Sequence, residues 1–139
     1  MNTSTREAIP LRILVVDDNY DAAESMAVLL GLYGNEVQMR HDGVAAITAF
    51  SDFKPHVIFL DITLPGLDGY DAAKQIRLHP DGGSVTLVAL TGLGRDEDIR
   101  RSTAAGFDHH LVKPVSPNTL IELLSSIALT MAPSGTAVQ

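Results

Sequence analysis

Short apolar runs alternate along the chain with segments of helical periodicity. The run Val-Ile-Phe-Leu at 57–60 is continuous and stops at Asp61, shortly before a Pro-Gly turn. A continuous run of this kind is typical of a parallel strand that is buried on both faces. Four further short runs bounded by turn residues complete a set of five predicted strands. The predicted strands cover residues 11–16, 36–40, 56–61, 85–90 and 109–112.

Between these strands, apolar residues recur every three or four positions, which is the spacing of one helix face. The predicted helices cover residues 22–33, 44–53, 69–77, 95–105 and 117–128. Strands that alternate with helices through short connections favour a parallel sheet covered on both faces. We therefore predict an α/β fold with a doubly wound, five-stranded parallel sheet in the flavodoxin-like order 2-1-3-4-5. The domain should span residues 11–130, with a disordered lead at 1–10 and a flexible tail at 131–139.

The composition narrows the classes of function. A length of 139 residues and a mass of 14.9 kDa fit one domain. No apolar run approaches the roughly 20 residues that span a bilayer, and the polar start does not resemble a signal peptide, so we expect a cytoplasmic protein without membrane contact. A net charge of -7 opposes binding to nucleic acid. The chain has no cysteine, which excludes disulfides and thiolate chemistry. We expect protein partners.

Polar side chains stand at the carboxyl ends of four predicted strands: Asp17 and Asp18, then Asp61, then Thr91, then Lys113. In a doubly wound sheet these ends meet at one edge, where ligands bind. Clustered carboxylates repel one another unless a cation compensates them, and such hard oxygen ligands suit Mg²⁺. With Mg²⁺ bound, Asp61 can attack a phosphoryl group as a carboxylate nucleophile. Thr91 and Lys113 can then each bind a phosphoryl oxygen.

Each of these residues also has a plainer interpretation. Asp17 and Asp18 can cap the helix that follows them. Thr91 can be a β-branched strand end, and Lys113 a solvated cation. His110 is interpreted as a partly exposed packing residue rather than a metal ligand, because its histidine neighbour on the strand points to the opposite face. The joint occurrence of three carboxylates, a hydroxyl and an ammonium at one edge favours the phosphoryl chemistry.

Four stretches carry a resemblance to the receiver domain of two-component response regulators. They are Val-Val-Asp-Asp-Asn at 15–19, Leu-Asp-Ile-Thr-Leu-Pro-Gly-Leu-Asp-Gly at 60–69, Ala-Leu-Thr-Gly at 89–92 and Val-Lys-Pro at 112–114. The resemblance spans about residues 11–130, nearly the whole chain. It is specific because the dispersed positions agree with the strand ends predicted above.

The resemblance implies a role for each matching residue. Asp61 would be the phosphoacceptor, and Asp18 and Asp61 would bind Mg²⁺ directly. Asp17 would bind the metal through water, and the Thr63 backbone carbonyl would be a further ligand. Thr91 and Lys113 would bind the phosphoryl oxygens, and a cis peptide would join Lys113 to Pro114. The phosphoryl donor would be a histidine kinase or a histidine phosphotransfer protein.

The chain departs from the family pattern in two features. His110 stands three residues before the lysine, where the family usually has the Tyr or Phe that acts with Thr91 as the switch. The surrounding sequence looks more like receivers of hybrid histidine kinases, or single-domain relatives of them, than like those fused to DNA-binding regulators. Thr63 and Leu93 occupy the positions that tune the water which attacks the phosphoryl group. Neither carries a charge or an amide, so we expect slow self-dephosphorylation.

The leading hypothesis is a phosphoacceptor switch of a phosphorelay that changes a face of helix 4, strand 5 and helix 5 for partner binding, without enzymatic turnover. An aspartate-nucleophile phosphatase would need a second aspartate at Thr63. A flavin-binding electron carrier is disfavoured because Asp17 and Asp18 would repel the flavin phosphate. A phosphorylation-independent interaction module on the same fold remains open. We expect a monomer or weak dimer, and a docking patch formed by outward-facing Ala23 and Ala27.

Overall fold

The computed structural model describes residues 10–92 and 94–131, and in this part of the chain five strands alternate with five helices. The strands are β1 (Arg12–Val16), β2 (Glu36–Arg40), β3 (Val57–Asp61), β4 (Thr86–Thr91) and β5 (His109–Val112). The helices are α1 (Tyr20–Leu32), α2 (Gly43–Phe53), α3 (Gly69–Leu78), α4 (Asp96–Ala105) and α5 (Pro117–Met131).

All strand pairs are parallel, and the strand order is β2-β1-β3-β4-β5. The predicted flavodoxin-like fold class is therefore confirmed. Val16 of β1 pairs with Leu60 of β3, so the residues that follow, Asp17 and Asp61, stand side by side. The chain reverses its direction of winding between β1 and β3, and this topological switch point holds the carboxylates.

The strands are buried on both sides because each face of the sheet has its own hydrophobic core. Helices α1 and α5 pack on the face that contains Val15 and Phe59. Helices α2, α3 and α4 cover the opposite face, which contains Val16 and Leu60. Adjacent strand residues therefore enter different cores, which explains the continuous apolar run that marks β3 in the sequence.

One expectation about α1 is wrong. Ala23, predicted to face outward beside Ala27, is fully buried in the core, whereas Ala22 is exposed. The apolar face of α1 contains Met26, Leu29 and Leu30 as the periodicity predicts, but Ala23 and not Ala22 completes it. Both alanines are apolar, and periodicity alone could not choose between them. The proposed two-alanine docking patch does not exist in this form.

The ends of the chain are only partly described. The predicted lead at 1–10 and tail at 131–139 lie outside the described residues, except for Pro10 and Met131. Pro10 is exposed and outside regular structure, and Met131 is the last residue of α5 rather than part of a tail. The described helices include none with the length and apolar character needed to cross a membrane.

Arg77 of α3 binds the loops that precede β4 and β5. Its guanidinium donates hydrogen bonds to the carbonyls of Gly82 (2.7 Å), Val85 (2.7 Å) and Gly106 (2.7 and 2.9 Å). It also forms an ion pair with Asp108 at 2.8 Å, and only 21% of its side chain is exposed. Arg77 thereby fixes the loops before β4 and β5. Thr91 and Lys113 lie at the opposite ends of these two strands.

Replacing Arg77 with methionine should lower the free energy of unfolding by about 2 to 4 kcal/mol, because several backbone carbonyls lose their donor at once. Urea denaturation followed by circular dichroism measures the difference. The control is Arg100→Met, since Arg100 is an exposed arginine on α4. Equal stability of the two variants would contradict this role for Arg77.

Candidate functional site

The strand ends bring the predicted residues to one edge of the sheet. Asp17 and Asp18 follow β1, Asp61 ends β3, Thr91 ends β4 and Lys113 follows β5. Backbone hydrogen bonds continue the sheet at this edge: the Lys113 amide donates to the Thr91 carbonyl at 2.8 Å. The relative positions of these groups therefore follow from strand register, and they are not set by a flexible loop.

Lys113 is the central cation of the site. Its ammonium donates to Asp17 Oδ2 at 2.9 Å and to Asp61 Oδ2 at 3.0 Å. Both carboxylates are almost completely buried, with 2% and 3% of their surfaces exposed. Burial lowers the pKa of Lys113, but the hydrogen bonds to Asp17 and Asp61 outweigh that effect and hold the pKa above its usual value. Lys113 is consequently protonated at neutral pH.

Asp61 is held in its ionised form. Burial by itself would raise the pKa of its carboxyl group, but hydrogen bonds outweigh burial and the pKa is lowered. The Thr63 amide donates to Asp61 Oδ1 at 2.9 Å, the Thr63 hydroxyl donates to the same oxygen at 2.8 Å, and Lys113 binds the other oxygen. An ionised carboxylate is the form that can act as a nucleophile.

The donor set fits a magnesium ion. Asp17, Asp18 and Asp61 each offer a carboxylate oxygen, and these oxygens lie within 4.8 Å of one another. Three carboxylates against one ammonium leave two negative charges, which a divalent cation would balance. Asp18 is exposed, so the site is open to solvent on one side. Mg²⁺ typically takes one or two carboxylates and keeps several waters, in agreement with this geometry. The Thr63 carbonyl ligand stays a prediction.

Helix capping does not account for the two adjacent aspartates. Asn19 is the N-cap of α1, because its side chain accepts a hydrogen bond from the Ala22 amide at 3.0 Å. The Asn19 amide in turn donates to Asp17 Oδ1 at 3.0 Å. Asp17 therefore orders the start of the helix indirectly, and both aspartates are left for the site.

The other predicted residues lie at varying distances from this centre. Thr91 is buried at the end of β4 and shares a cavity of about 450 Å³ with Thr63. The Lys113–Pro114 peptide bond is cis, as the resemblance implies. His110 is half-buried on β5, and its Nε2 donates to the Ile99 carbonyl of α4 at 3.2 Å, away from the carboxylates. Leu93 lies outside the described residues.

One contact at the site is absent from the sequence-based predictions. The Nδ1 atom of His41 lies 2.9 Å from the backbone carbonyl of Asp17, and the imidazole stacks on the Tyr20 ring. His41 follows β2, which is the neighbour of β1 in the sheet. Its position at a strand end next to the strand of Asp17 was the available signal.

The fold and the site together define a class. This is a doubly wound α/β domain with three carboxylates, a lysine and a threonine around the topological switch point. The family model of the response regulator receiver domain matches residues 13–125. The chain therefore belongs to the response regulator receiver domain family.

Individual proteins are similar to this chain over most of its length. An uncharacterized 14.6 kDa protein in the sodA1 3' region of Leptolyngbya boryana is 31% identical over 121 residues, covering 87% of this chain and 92% of the relative. The receiver domain of the sensor histidine kinase PA1611 from Pseudomonas aeruginosa PAO1 has a TM-score of 0.79 and 29% identity, and the match covers 86% of this chain and 98% of that one. That crystal structure has a magnesium ion coordinated in its active-site cleft.

Other relatives are longer proteins. The DNA-binding response regulator MtrA of Mycolicibacterium paratuberculosis is 34% identical over 110 residues, which are 79% of this chain and 48% of MtrA. The chain thus spans about half the length of that relative. Because a histidine kinase receiver, a short protein and a DNA-binding regulator all match, the hybrid-kinase or single-domain subtype stays a prediction.

Replacing Lys113 with methionine should lower the free energy of unfolding at pH 7 by about 2 kcal/mol, because Asp17 and Asp61 lose their buried counter-charge. The lowered pKa of Asp61 means that the folded protein binds fewer protons than the unfolded chain. That contribution to stability is present at neutral pH and is lost as the pH falls below about 4.

The stability difference between the wild type and Lys113→Met should therefore be largest near pH 7 and shrink towards pH 4 and below. Urea denaturation across this range, without added metal, measures it. Lys74→Met is the matched control, because Lys74 is exposed on α3. A pH-independent difference would contradict the role of Lys113 as the counter-charge of ionised carboxylates.

Proposed function

We propose that this receiver domain is a phosphoacceptor switch in which Asp61 takes a phosphoryl group from a phosphohistidine donor. The observation that carries the proposal is the state of Asp61: a buried carboxylate held ionised by Thr63 and Lys113, beside two further carboxylates. A carboxylate kept in this state only for stability would not need two adjacent acidic groups that repel it.

The transfer would break the bond between phosphorus and the donor imidazole and form a bond to an Asp61 oxygen. Asp17, Asp18 and Asp61 would hold Mg²⁺, which, when bound, neutralises charge on the phosphoryl oxygens. The magnesium ion in the cleft of the PA1611 receiver domain supports this assignment. The Thr91 hydroxyl and the Lys113 ammonium would bind phosphoryl oxygens, so Lys113 exchanges a carboxylate partner for a phosphoryl one.

A cleft beside the site suits the helix of a protein donor. It has a volume of about 670 Å³, lies between α1 and α5, and reaches Asp17 and Lys113 at one end. Met26, Leu29 and Leu120 line its apolar part. A histidine kinase or a histidine phosphotransfer protein is the proposed partner, because either presents its histidine on a helix. A cytoplasmic location and a monomeric or weakly dimeric state stay predictions.

The output would leave through α4, β5 and α5. Phosphorylation would shift the population of conformations on this face towards one that a partner binds. The hydrogen bond from His110 to the Ile99 carbonyl joins β5 to α4 and supports this path without an aromatic residue at position 110. We infer a regulatory exchange of one phosphoryl group per cycle and no enzymatic turnover.

The alternatives have less support. A phosphatase of the aspartate-nucleophile type needs a general acid two residues after the nucleophile, where Thr63 instead donates a hydroxyl hydrogen bond to Asp61. A phosphorylation-independent interaction module would leave the charged cluster without a function.

Incubation with Mg²⁺ and acetyl phosphate should give an adduct 80 Da heavier, on the order of one phosphoryl group per chain, and Asp61→Asn should abolish it because an amide is not a nucleophile here. Intact-protein mass spectrometry with a beryllofluoride titration as a second probe measures the result. Asp52→Asn, an exposed carboxylate on α2, should react like the wild type. Failure of the wild type to form either adduct would favour the interaction module.

The aspartyl phosphate should be lost slowly, because the Thr63 side chain has no charge or amide group to orient an attacking water. Thr63→Asn should accelerate the loss severalfold by adding such an amide, while Thr63→Ser, which keeps the hydroxyl bond to Asp61, should not. Loss of label after removal of the donor gives the rates. Very rapid loss from the wild type without a phosphatase would show that slow self-dephosphorylation is wrong.

A further inference from the structure

His41 makes two contacts at the acidic segment, which is Asp17 and Asp18 after β1. Its Nδ1 atom lies 2.9 Å from the carbonyl oxygen of Asp17. A carbonyl oxygen can only accept a hydrogen bond, so Nδ1 carries the proton in this contact. The imidazole thus acts as a donor from the loop after β2 to the backbone of a proposed metal ligand.

The second contact keeps the imidazole in place. The His41 and Tyr20 rings are stacked, with 3.6 Å between their centroids and an angle of 19° between their planes. Tyr20 is the first residue of α1, and the two aspartates lie between it and β1. The stacked pair therefore spans the acidic segment, although 67% of the Tyr20 surface remains exposed to solvent.

The backbone of Asp17 is held on both sides by adjacent residues. Its amide donates to the Arg40 carbonyl at 3.1 Å, and its carbonyl accepts from His41. The first of these bonds is an ordinary continuation of the parallel sheet. The second is a side-chain bond, and it fixes the peptide that joins Asp17 to Asp18.

We infer that His41, held by Tyr20, is a positioning residue for the magnesium site. Like charges at Asp17, Asp18 and Asp61 repel one another. Lys113 and the Asn19 amide already hold the Asp17 carboxylate, whereas the exposed Asp18 carboxylate depends on the orientation of the peptide that His41 binds. The bond from His41 sets the orientation of the acidic segment before the metal binds, which reduces the cost of ordering its ligands. This inference rests on the proposed function, because it takes Asp17 and Asp18 as ligands.

The critical comparison is between His41→Phe and His41→Asn. Phenylalanine keeps a ring that can stack on Tyr20 but has no donor, whereas asparagine keeps an N–H near the position of Nδ1. The dissociation constant for Mg²⁺, measured by titration calorimetry on the full chain, should rise about tenfold in His41→Phe, at the lower end of the effects of outer-shell partners. It should stay close to the wild-type value in His41→Asn.

One control separates positioning from general stability. His79→Leu removes an imidazole that packs on Phe50 in another part of the fold, and it should leave the affinity for Mg²⁺ unchanged. If His41→Phe does not fold, His41→Leu takes its place. The inference would be overturned if His41→Phe bound Mg²⁺ as tightly as the wild type. It would also be overturned if His41→Asn weakened Mg²⁺ binding as much as His41→Phe does.

A second measurement needs no metal. The Asn19 amide donates to Asp17 Oδ1, so its hydrogen exchange reports the order of the acidic segment. In metal-free protein this amide should exchange faster in His41→Phe than in the wild type or in His41→Asn, and unchanged exchange would overturn the inference. If the wild type binds no Mg²⁺, the proposed metal site is wrong, and this exchange measurement alone decides whether His41 orders the segment.

Discussion

The ion pairs of Lys113 with Asp17 and Asp61 are the interactions on which the site depends. Two carboxylates that are nearly fully buried can remain ionised side by side only if a cation and hydrogen bonds replace the lost water. Lys113 reaches both because β5 lies two strands away from β3 in a parallel sheet, with its carboxyl end at the same edge. The sheet order thus makes the buried charges compatible with a stable fold.

The same arrangement leaves the site with unbalanced charge. One ammonium compensates one of the three carboxylates, which leaves two negative charges that a divalent cation would balance, and Lys113 is shared between two partners. A phosphoryl group with its metal would supply both the missing positive charge and a new partner for Lys113. Under the proposed function, phosphorylation therefore rearranges an electrostatic network that is already strained by repulsion.

The strand ends were predictable from the sequence because each buried run ends at a polar residue, and the order of a doubly wound sheet places those ends together. Contacts that depend on loops or helix rotation were not. The sequence did not distinguish Ala23 from Ala22, since both are apolar and adjacent. His41 and Arg77 act through backbone carbonyls, and a carbonyl is present at every residue. The sequence therefore carries no mark of which carbonyl accepts the bond.

Under the proposed function, the path from Asp61 to the face formed by α4, β5 and α5 would depend on how β5 is held. At its start, Arg77 binds the Gly106 carbonyl and the Asp108 carboxylate, so this end is fixed to the body of the domain. At its other end, the Lys113 amide donates to the Thr91 carbonyl, and the Lys113 ammonium binds carboxylates whose charge phosphorylation would alter. His110 lies between the two and donates to α4. Because β5 pairs with β4 alone in the described sheet, a displacement of Lys113 would meet resistance from one neighbouring strand, and His110 would transmit that displacement to the Ile99 carbonyl. A histidine can therefore serve here through its hydrogen bond, where an aromatic ring would serve through its rotamer.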